Sequence, residues 1–199
     1  MKRVLVMMVA LFAICSSASA QTLGEFVKGT ITNLVDQATD GKATEFLMTD
    51  SWTYSAPAVR LESDDELANL AGNALISLVD NKLASAYKLV GIKEGNFSLT
   101  LNTDNTFTMV LGKRTHTGTY TYDATTHALD LYFTTKLIKL KSLSGYAYLN
   151  GDSLDVAFDC TRLANFLTAL GSKVSALSSV TQMVKNYDSV LLGFTFSRQ

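Results

Sequence analysis

The stretch NTFTMVLGKRTHTGTYTYDATTHALDLYF, residues 105–133, decides the fold of this chain. Apolar residues occupy every second position in its first and last parts, at Phe107, Met109, Leu111, Leu129, Leu131 and Phe133. A period of two is typical of half-buried β-strands. The segment DATTH between the two parts has the composition of a turn. The stretch therefore predicts antiparallel strands that share one apolar face.

The same period of two continues on both sides of this stretch. It includes Phe97, Leu99 and Leu101 upstream, and Tyr146, Tyr148, Leu154, Val156 and Phe158 downstream. Asn150-Gly151 is a strong hairpin signal. An early strand, SWTYSAPAVRL, places Trp52 and Tyr54 on one face, and Pro57 predicts that this strand is an edge or is broken there. The final segment SVLLGFTFSRQ is predicted to close the sheet against it.

Three segments have helical spacing instead. The first covers about residues 23–38. The second opens with a capping box at residues 63–66 and ends near Gly91, which suits a C-terminal cap. The third covers about residues 160–187 and is predicted to bend at Gly171. The apolar stripe of the second helix consists of Leu67, Leu70, Ala71, Ala74, Leu75, Leu78, Val79, Leu83 and Tyr87.

Residues 1–20 have the form of a secretory signal peptide, with a basic start, an apolar run and the small residues ASA before a predicted cleavage at Gln21. The apolar run is too short to be a membrane span. We therefore predict an exported protein, periplasmic or secreted, with no transmembrane segment in the mature chain. Residues 21–199 have the length of a single domain, with an N-terminal helical segment at about 21–48 and the β-rich part at 50–199.

The composition excludes several classes of function. The net charge of −1 predicts no general affinity for nucleic acid. Cys15 belongs to the leader, so Cys160 alone remains, and neither a disulfide nor a thiolate zinc site is expected. No nucleophile elbow, phosphate loop or zinc motif is present. We therefore predict no catalytic residues, no metal, no cofactor and no enzymatic activity.

The chain resembles the lipocalin-like exported bacterial proteins of uncharacterised function, which are small calycin-type β-barrels with helical additions. The resemblance rests on SWTYSAPAVRLES, on residues 105–133 and on the closing GFTFSR. It implies that Trp52 lies at the base of the barrel under Arg198. Asp50 stands where lipocalins carry glycine, and a long helix follows the first strand.

The resulting prediction for the fold class is α+β, mostly antiparallel β. We expect a lipocalin-like meander barrel of about eight strands with an N-terminal helix, an inserted helix after the first strand and a helix before the last.

Aromatic and apolar residues on the faces predicted to point inward are candidate ligand contacts. They are Trp52, Tyr54, Met109, Tyr120, Tyr122, Phe133, Tyr146 and Tyr148. Lys113 and Arg114 are candidate contacts at the rim, where cations can receive a carboxylate or phosphate head group. A core filled by the same side chains is the alternative, and lysines that protect a strand edge are the alternative for the cations.

The remaining reactive side chains are interpreted structurally. His116 is placed on the polar face of a strand with its threonine neighbours, and His127 is placed in a turn. Cys160 is interpreted as a small buried apolar residue. A further basic cluster consists of Lys136, Lys139 and Lys141.

Two functions follow from these observations. The first is non-enzymatic binding of a small apolar or amphiphilic ligand in the barrel interior. The alternative is a filled-barrel scaffold that mediates protein–protein interaction in the cell envelope, as a monomer or a homodimer.

Overall fold

The computed structural model describes residues 42–62, 66–134, 140–171 and 175–199. The predicted leader and the predicted helix at residues 23–38 lie outside the described residues. The same holds for most of the capping box at 63–66 and for Lys136 and Lys139.

Within the described ranges the chain forms four helices and eight strands. The helices are α1 (Lys42–Met48), α2 (Glu66–Leu89), α3 (Cys160–Ala169) and α4 (Ser175–Met183). The strands are β1 (Ser51–Glu62), β2 (Phe97–Leu101), β3 (Thr106–Leu111), β4 (Arg114–Asp123), β5 (Ala128–Phe133), β6 (Ser142–Asn150), β7 (Ser153–Asp159) and β8 (Ser189–Arg198).

The eight strands form a closed antiparallel barrel in sequence order. Each strand from β2 to β7 pairs with its neighbours in the chain, as short turns allow. Pairing of β8 with β1, from Trp52 opposite Arg198 to Glu62 opposite Ser189, closes the ring. The predicted meander and its closure are therefore confirmed.

The two sides of β1 are paired unequally. One side follows β8 along nearly its whole length, but the other pairs with β2 only at Ser51, Trp52 and Thr53. The register to β8 shifts between Tyr54 and Ala56, directly before Pro57. Proline has no N–H to donate, so it is tolerated where one side of the strand is unpaired. The prediction of an edge at this proline holds for the β2 side, where α2 packs against β1.

Helix α2 covers this part of the barrel with one apolar face. Val79, Leu83 and Tyr87 are fully buried, and the Tyr87 hydroxyl donates a hydrogen bond to the Gly193 carbonyl at 2.8 Å. The inclusion of Leu78 in the buried stripe is wrong, because 57% of this side chain is exposed. It lies one residue from Val79 and therefore about 100° away around the helix.

The predicted third helix is divided into α3 and α4. The bend at Gly171 is confirmed, and its φ of 106° lies in the left-handed region that favours glycine. The helix ends at Met183, four residues before the predicted boundary. At the other end, the Asp159 side chain accepts a hydrogen bond from the Arg162 amide at 2.8 Å and caps α3.

Helix α1 falls within residues 21–48, the predicted N-terminal helical segment, although the helical spacing there predicts only the helix at 23–38. It lies at the barrel end where β1 begins. Trp52 donates its indole N–H to the Met48 carbonyl at 2.8 Å. The Arg198 guanidinium lies 4.7 Å from the Trp52 ring centroid and forms an ion pair with Asp50. This arrangement holds the helix against the first and last strands.

Candidate functional site

One half of the barrel interior is packed with aromatic rings around Phe194. The neighbouring ring centroids lie 4.8–6.2 Å from that of Phe194 and belong to Tyr54, Tyr87, Phe97, Phe158, Phe166 and Phe196. All of these side chains are buried, and most pairs meet edge to face, the geometry that aromatic quadrupoles favour. Burial raises the pKa of Tyr54 to about 12, with a contribution from the Asp80 carboxylate. This half of the barrel is a packed core.

The inner face of β4 forms a different environment. Arg114 stands at the β3 end of the strand, followed on the same side by His116, Gly118 and Tyr120. The interpretation of His116 as a polar-face residue is wrong, because its side chain is only 1% exposed. Side chains alternate along a strand, so His116 faces opposite to its threonine neighbours and points inward.

No hydrogen bond is formed by either ring nitrogen of His116. Burial lowers the pKa of this histidine, and the nearby Arg114 charge lowers it further. Both effects favour the neutral imidazole at neutral pH, because each disfavours a second positive charge. Met109, its partner on β3, is buried and apolar. A buried polar ring without a hydrogen-bond partner therefore lies opposite an apolar side chain.

We call the end of the barrel next to His116, where β5 ends and the β3–β4 turn lies, the barrel mouth. Phe133 lies at the end of β5, is half-buried and packs against the core, with its ring 5.3 Å from that of Phe107. A Cβ on Gly118 would lie 1.9 Å from the Tyr132 carbonyl oxygen and 2.7 Å from the Phe107 ring, so a glycine is needed where the two approach. Lys113 and Arg114 are exposed in and beside the turn. The predicted rim cations thus lie at the same mouth as Phe133.

The other predicted inward residues have different positions. Trp52, Tyr54, Met109 and Tyr120 are buried in the core. Tyr122 is half-buried at the opposite end of the barrel from Arg114 and packs against the core. Its hydroxyl donates to the Ala147 carbonyl at 3.3 Å and lies 3.3 Å from the His127 Nδ1 atom. The candidate ligand contacts are therefore not all gathered at one place.

The prediction that Tyr146 and Tyr148 face the interior is wrong. The buried positions of β6 are the alternate set, Leu143, Gly145, Ala147 and Leu149. A Cβ on Gly145 would lie 2.5 Å from the Phe158 ring, so that ring occupies the space a larger side chain would need. The predicted alternation of β6 is present, but its two tyrosines lie on the outer side of the strand.

The two tyrosines belong to an outer row of side chains on the barrel wall. The Arg60 guanidinium lies 3.8 Å from the centroid of the Tyr148 ring, and the His127 ring lies 4.8 Å from it. Tyr146 stacks beside Tyr148 at 6.5 Å. Asp155 accepts from Arg60 at 3.2 Å. We call these five residues the outer row.

No signal in the sequence identified the outer row as a group. Its members come from β1, β6 and β7 and from the turn before β5, and the Arg60–Asp155 contact joins positions 95 residues apart. Only the closed ring brings them together. Near Arg60, Ala58 of β1 pairs with Gly193 of β8, which pairs in turn with Ala157 of β7, so three small residues lie side by side there.

Several other features limit the chemistry of the described part of the chain. Burial raises the pKa of the Cys160 thiol, and the Asp159 charge adds to this, so the thiol is not activated. Among the described residues, no three His, Cys, Asp or Glu side chains are placed to hold a metal ion. None of the described helices has both the length and the apolar character needed to cross a bilayer.

An antiparallel barrel closed by its first and last strands, with Trp52 under Arg198, defines a lipocalin-like β-barrel. The chain belongs to the lipocalin-like domain family DUF4923, whose model matches residues 23–198. A crystal structure of a DUF4847 family protein from Bacteroides vulgatus is similar to it, with 14% identity over 79% of this chain and 97% of that chain, and a TM-score of 0.39. No curated protein matches the sequence.

Proposed function

We propose that this protein is an exported, non-enzymatic binding protein that holds a small apolar or amphiphilic molecule in its barrel, at the mouth formed by β3, β4 and β5. The observation that supports this most is His116, an inward imidazole without a hydrogen-bond partner beside the apolar Met109. Buried polar groups are normally paired, and each exception calls for an explanation. A bound molecule supplies one.

The apolar side chains at this mouth suit the body of such a ligand. Met109 and Leu111 are buried on the inner face of β3, and Phe133 remains half-buried at the end of β5. Lys113 and Arg114 at the rim supply cations that orient a polar head. Trp52 and Tyr54 belong to the packed part of the core and contribute by keeping the barrel rigid.

Native mass spectrometry of the protein purified from the cells that make it, compared with the denatured mass, tests this function. We expect a reproducible extra mass that is lost on denaturation. The variants Phe133→Ala and Tyr132→Ala provide a matched pair, since Tyr132 is the outward neighbour with 46% exposure. The fraction of protein that carries the extra mass should decrease in Phe133→Ala and stay unchanged in Tyr132→Ala. A folded wild-type protein without extra mass, or an equal loss in both variants, contradicts the proposal.

A second candidate function is supported by the outer row. Aromatic residues and arginine are enriched at protein interfaces, and here Tyr146, Tyr148 and Arg60 share one outer wall. The barrel would then be a scaffold that presents this row to a protein of the cell envelope. A photo-crosslinking amino acid at position 146 should give one discrete crosslinked product in cells, whereas the same group at the exposed position 121 should give none. Identical products at both positions contradict this function.

A further inference from the structure

The unpaired ring nitrogens of His116 restrict the kind of molecule that could form hydrogen bonds with them. A neutral imidazole carries one N–H donor and one acceptor nitrogen. Both nitrogens of His116 lack partners, and the side chain is 1% exposed, so bulk water does not replace them. A ligand that binds here must reach the barrel interior and bring a polar atom with it.

The positive charge of Arg114 beside His116 favours some polar ligand atoms over others. Arg114 lies two residues earlier on the same side of β4, and its charge acts on the imidazole. A guanidinium carries donors and no acceptor. A group placed between the two side chains therefore meets N–H donors from both, together with one positive charge. An oxygen that carries negative charge meets these conditions, because charge-assisted hydrogen bonds are the strongest available.

The surroundings argue against a cationic ligand at this place. Lys113 precedes Arg114 in the turn and adds a second positive charge. Thr115 and Thr117 flank His116 on the outer side and carry no charge, and Met109 opposite is apolar. In the described part of the chain, the charge that acts on His116 is positive.

We propose that the ligand carries a compact anionic oxygen head group, a carboxylate or a phosphate, which accepts a hydrogen bond from His116 and lies beside the Arg114 guanidinium. This inference rests on the proposed function, since it assigns the chemical class of the head group of the same ligand. The apolar part of the molecule then contacts Met109 and Phe133.

Calorimetric titration with decyl compounds of different head groups tests the assignment. The probes are decanoate, decyl phosphate, decanol and decyltrimethylammonium, all below their micelle concentrations. We expect decanoate or decyl phosphate to bind about 10- to 100-fold more tightly than decanol, which is the range for hydrogen bonds to a charged group. The comparison of the two anions distinguishes a carboxylate from a phosphate ligand. Decyltrimethylammonium should bind more weakly than decanol.

Two variants and a matched control locate the head group. His116→Phe and Arg114→Gln should each weaken anion binding about tenfold or more and leave decanol binding unchanged. Arg114 is exposed, so its variant tests the site even where His116→Phe changes folding. His127→Asn is the control, because asparagine tolerates the φ of 58° at that position. In ¹⁵N spectra, the ring nitrogens of His116 should shift on anion addition while those of His127 do not.

The outcomes separate this inference from the proposed function. If decanol binds as tightly as the anions, or if His127→Asn weakens anion binding as much as His116→Phe, the head-group assignment is overturned and ligand binding stands. If none of the four probes binds the wild-type protein, both are overturned. Tight anion binding that depends on His116 and Arg114 supports both.

Discussion

The two halves of the barrel interior are packed differently. Around Phe194, aromatic rings from β1, β2, β7 and β8 and from two helices meet at 4.8–6.2 Å. Around His116, the wall carries a polar ring without a partner and a half-buried Phe133 at the end of β5. Local departures from good packing are expected at functional sites, where stability is given up for binding. The difference points to the second half as the place to look for function.

Removal of the central ring of the packed half should have the largest effect. Phe194→Ala leaves a cavity among several aromatic neighbours, and we expect the free energy of unfolding to fall by about 3–5 kcal/mol. Urea unfolding followed by tryptophan fluorescence measures this, since Trp52 is the only tryptophan of the chain. A loss below about 1 kcal/mol would show that this half is not the stabilising core.

The equivalent change in the other half should cost less. Phe133→Ala removes a ring that is only half-buried, so we expect a loss of about 1–2 kcal/mol in the same unfolding measurement. The two phenylalanines thus compare the halves with identical chemistry. Equal losses at positions 133 and 194 would remove the distinction on which the site assignment depends.

The pH dependence of stability should report on His116. Its pKa in the folded protein is below the ordinary value of 6.5, so the unfolded chain binds the proton more readily. The stability that depends on a neutral His116 is therefore fully present above about pH 6.5. It is lost as the pH falls from there through the pKa of His116 in the folded protein. We expect the unfolding free energy of the wild type to decrease more between pH 7.5 and 5.5 than that of His116→Phe. Parallel curves would mean that the pKa of His116 is the same in the folded and the unfolded protein, which contradicts the expected effect of its burial.

The outer row should contribute least. Arg60→Met keeps an apolar stem but removes the cation over Tyr148 and the ion pair with Asp155, which is partly exposed to solvent. We expect a loss of about 0.5–1 kcal/mol, most of it recovered in Arg60→Lys. A loss of several kcal/mol would contradict this prediction and would show that the contact of Arg60 on β1 with Tyr148 on β6 contributes strongly to the stability of the closed barrel.

Much of the fold follows from the sequence because the period of two is regular. Phe107, Met109 and Leu111 alternate without interruption, and the structure buries all three. The helical spacing does not mark α1 as a separate helix, because seven residues carry too little periodic pattern. Its position depends on the Trp52–Met48 hydrogen bond, which is a tertiary contact.

The candidate site was less predictable, for two physical reasons. The pattern of β6 shows two alternating sets but not which one is inside, and Tyr146 and Tyr148 are larger and less polar than a typical outer set. They lie outside because the Phe158 ring covers Gly145, a contact between different strands. His116 was misplaced because its threonine neighbours suggested a polar face, whereas parity along the strand puts it with Gly118 and Tyr120.

The closure of the ring has a consequence for the order in which the protein folds. Gln199 donates a hydrogen bond to Thr53 across 146 residues of chain, and the β1–β8 pairing has similar separations. Hairpins from β2 to β7 join near neighbours, so they form quickly, whereas pairing over such distances is slow. We therefore expect the side of β1 that pairs with β8 to remain an unpaired edge until β8 folds against it. Pro57 lies in β1 and has no backbone N–H with which another chain could pair, so we expect it to reduce aggregation of the incompletely folded barrel.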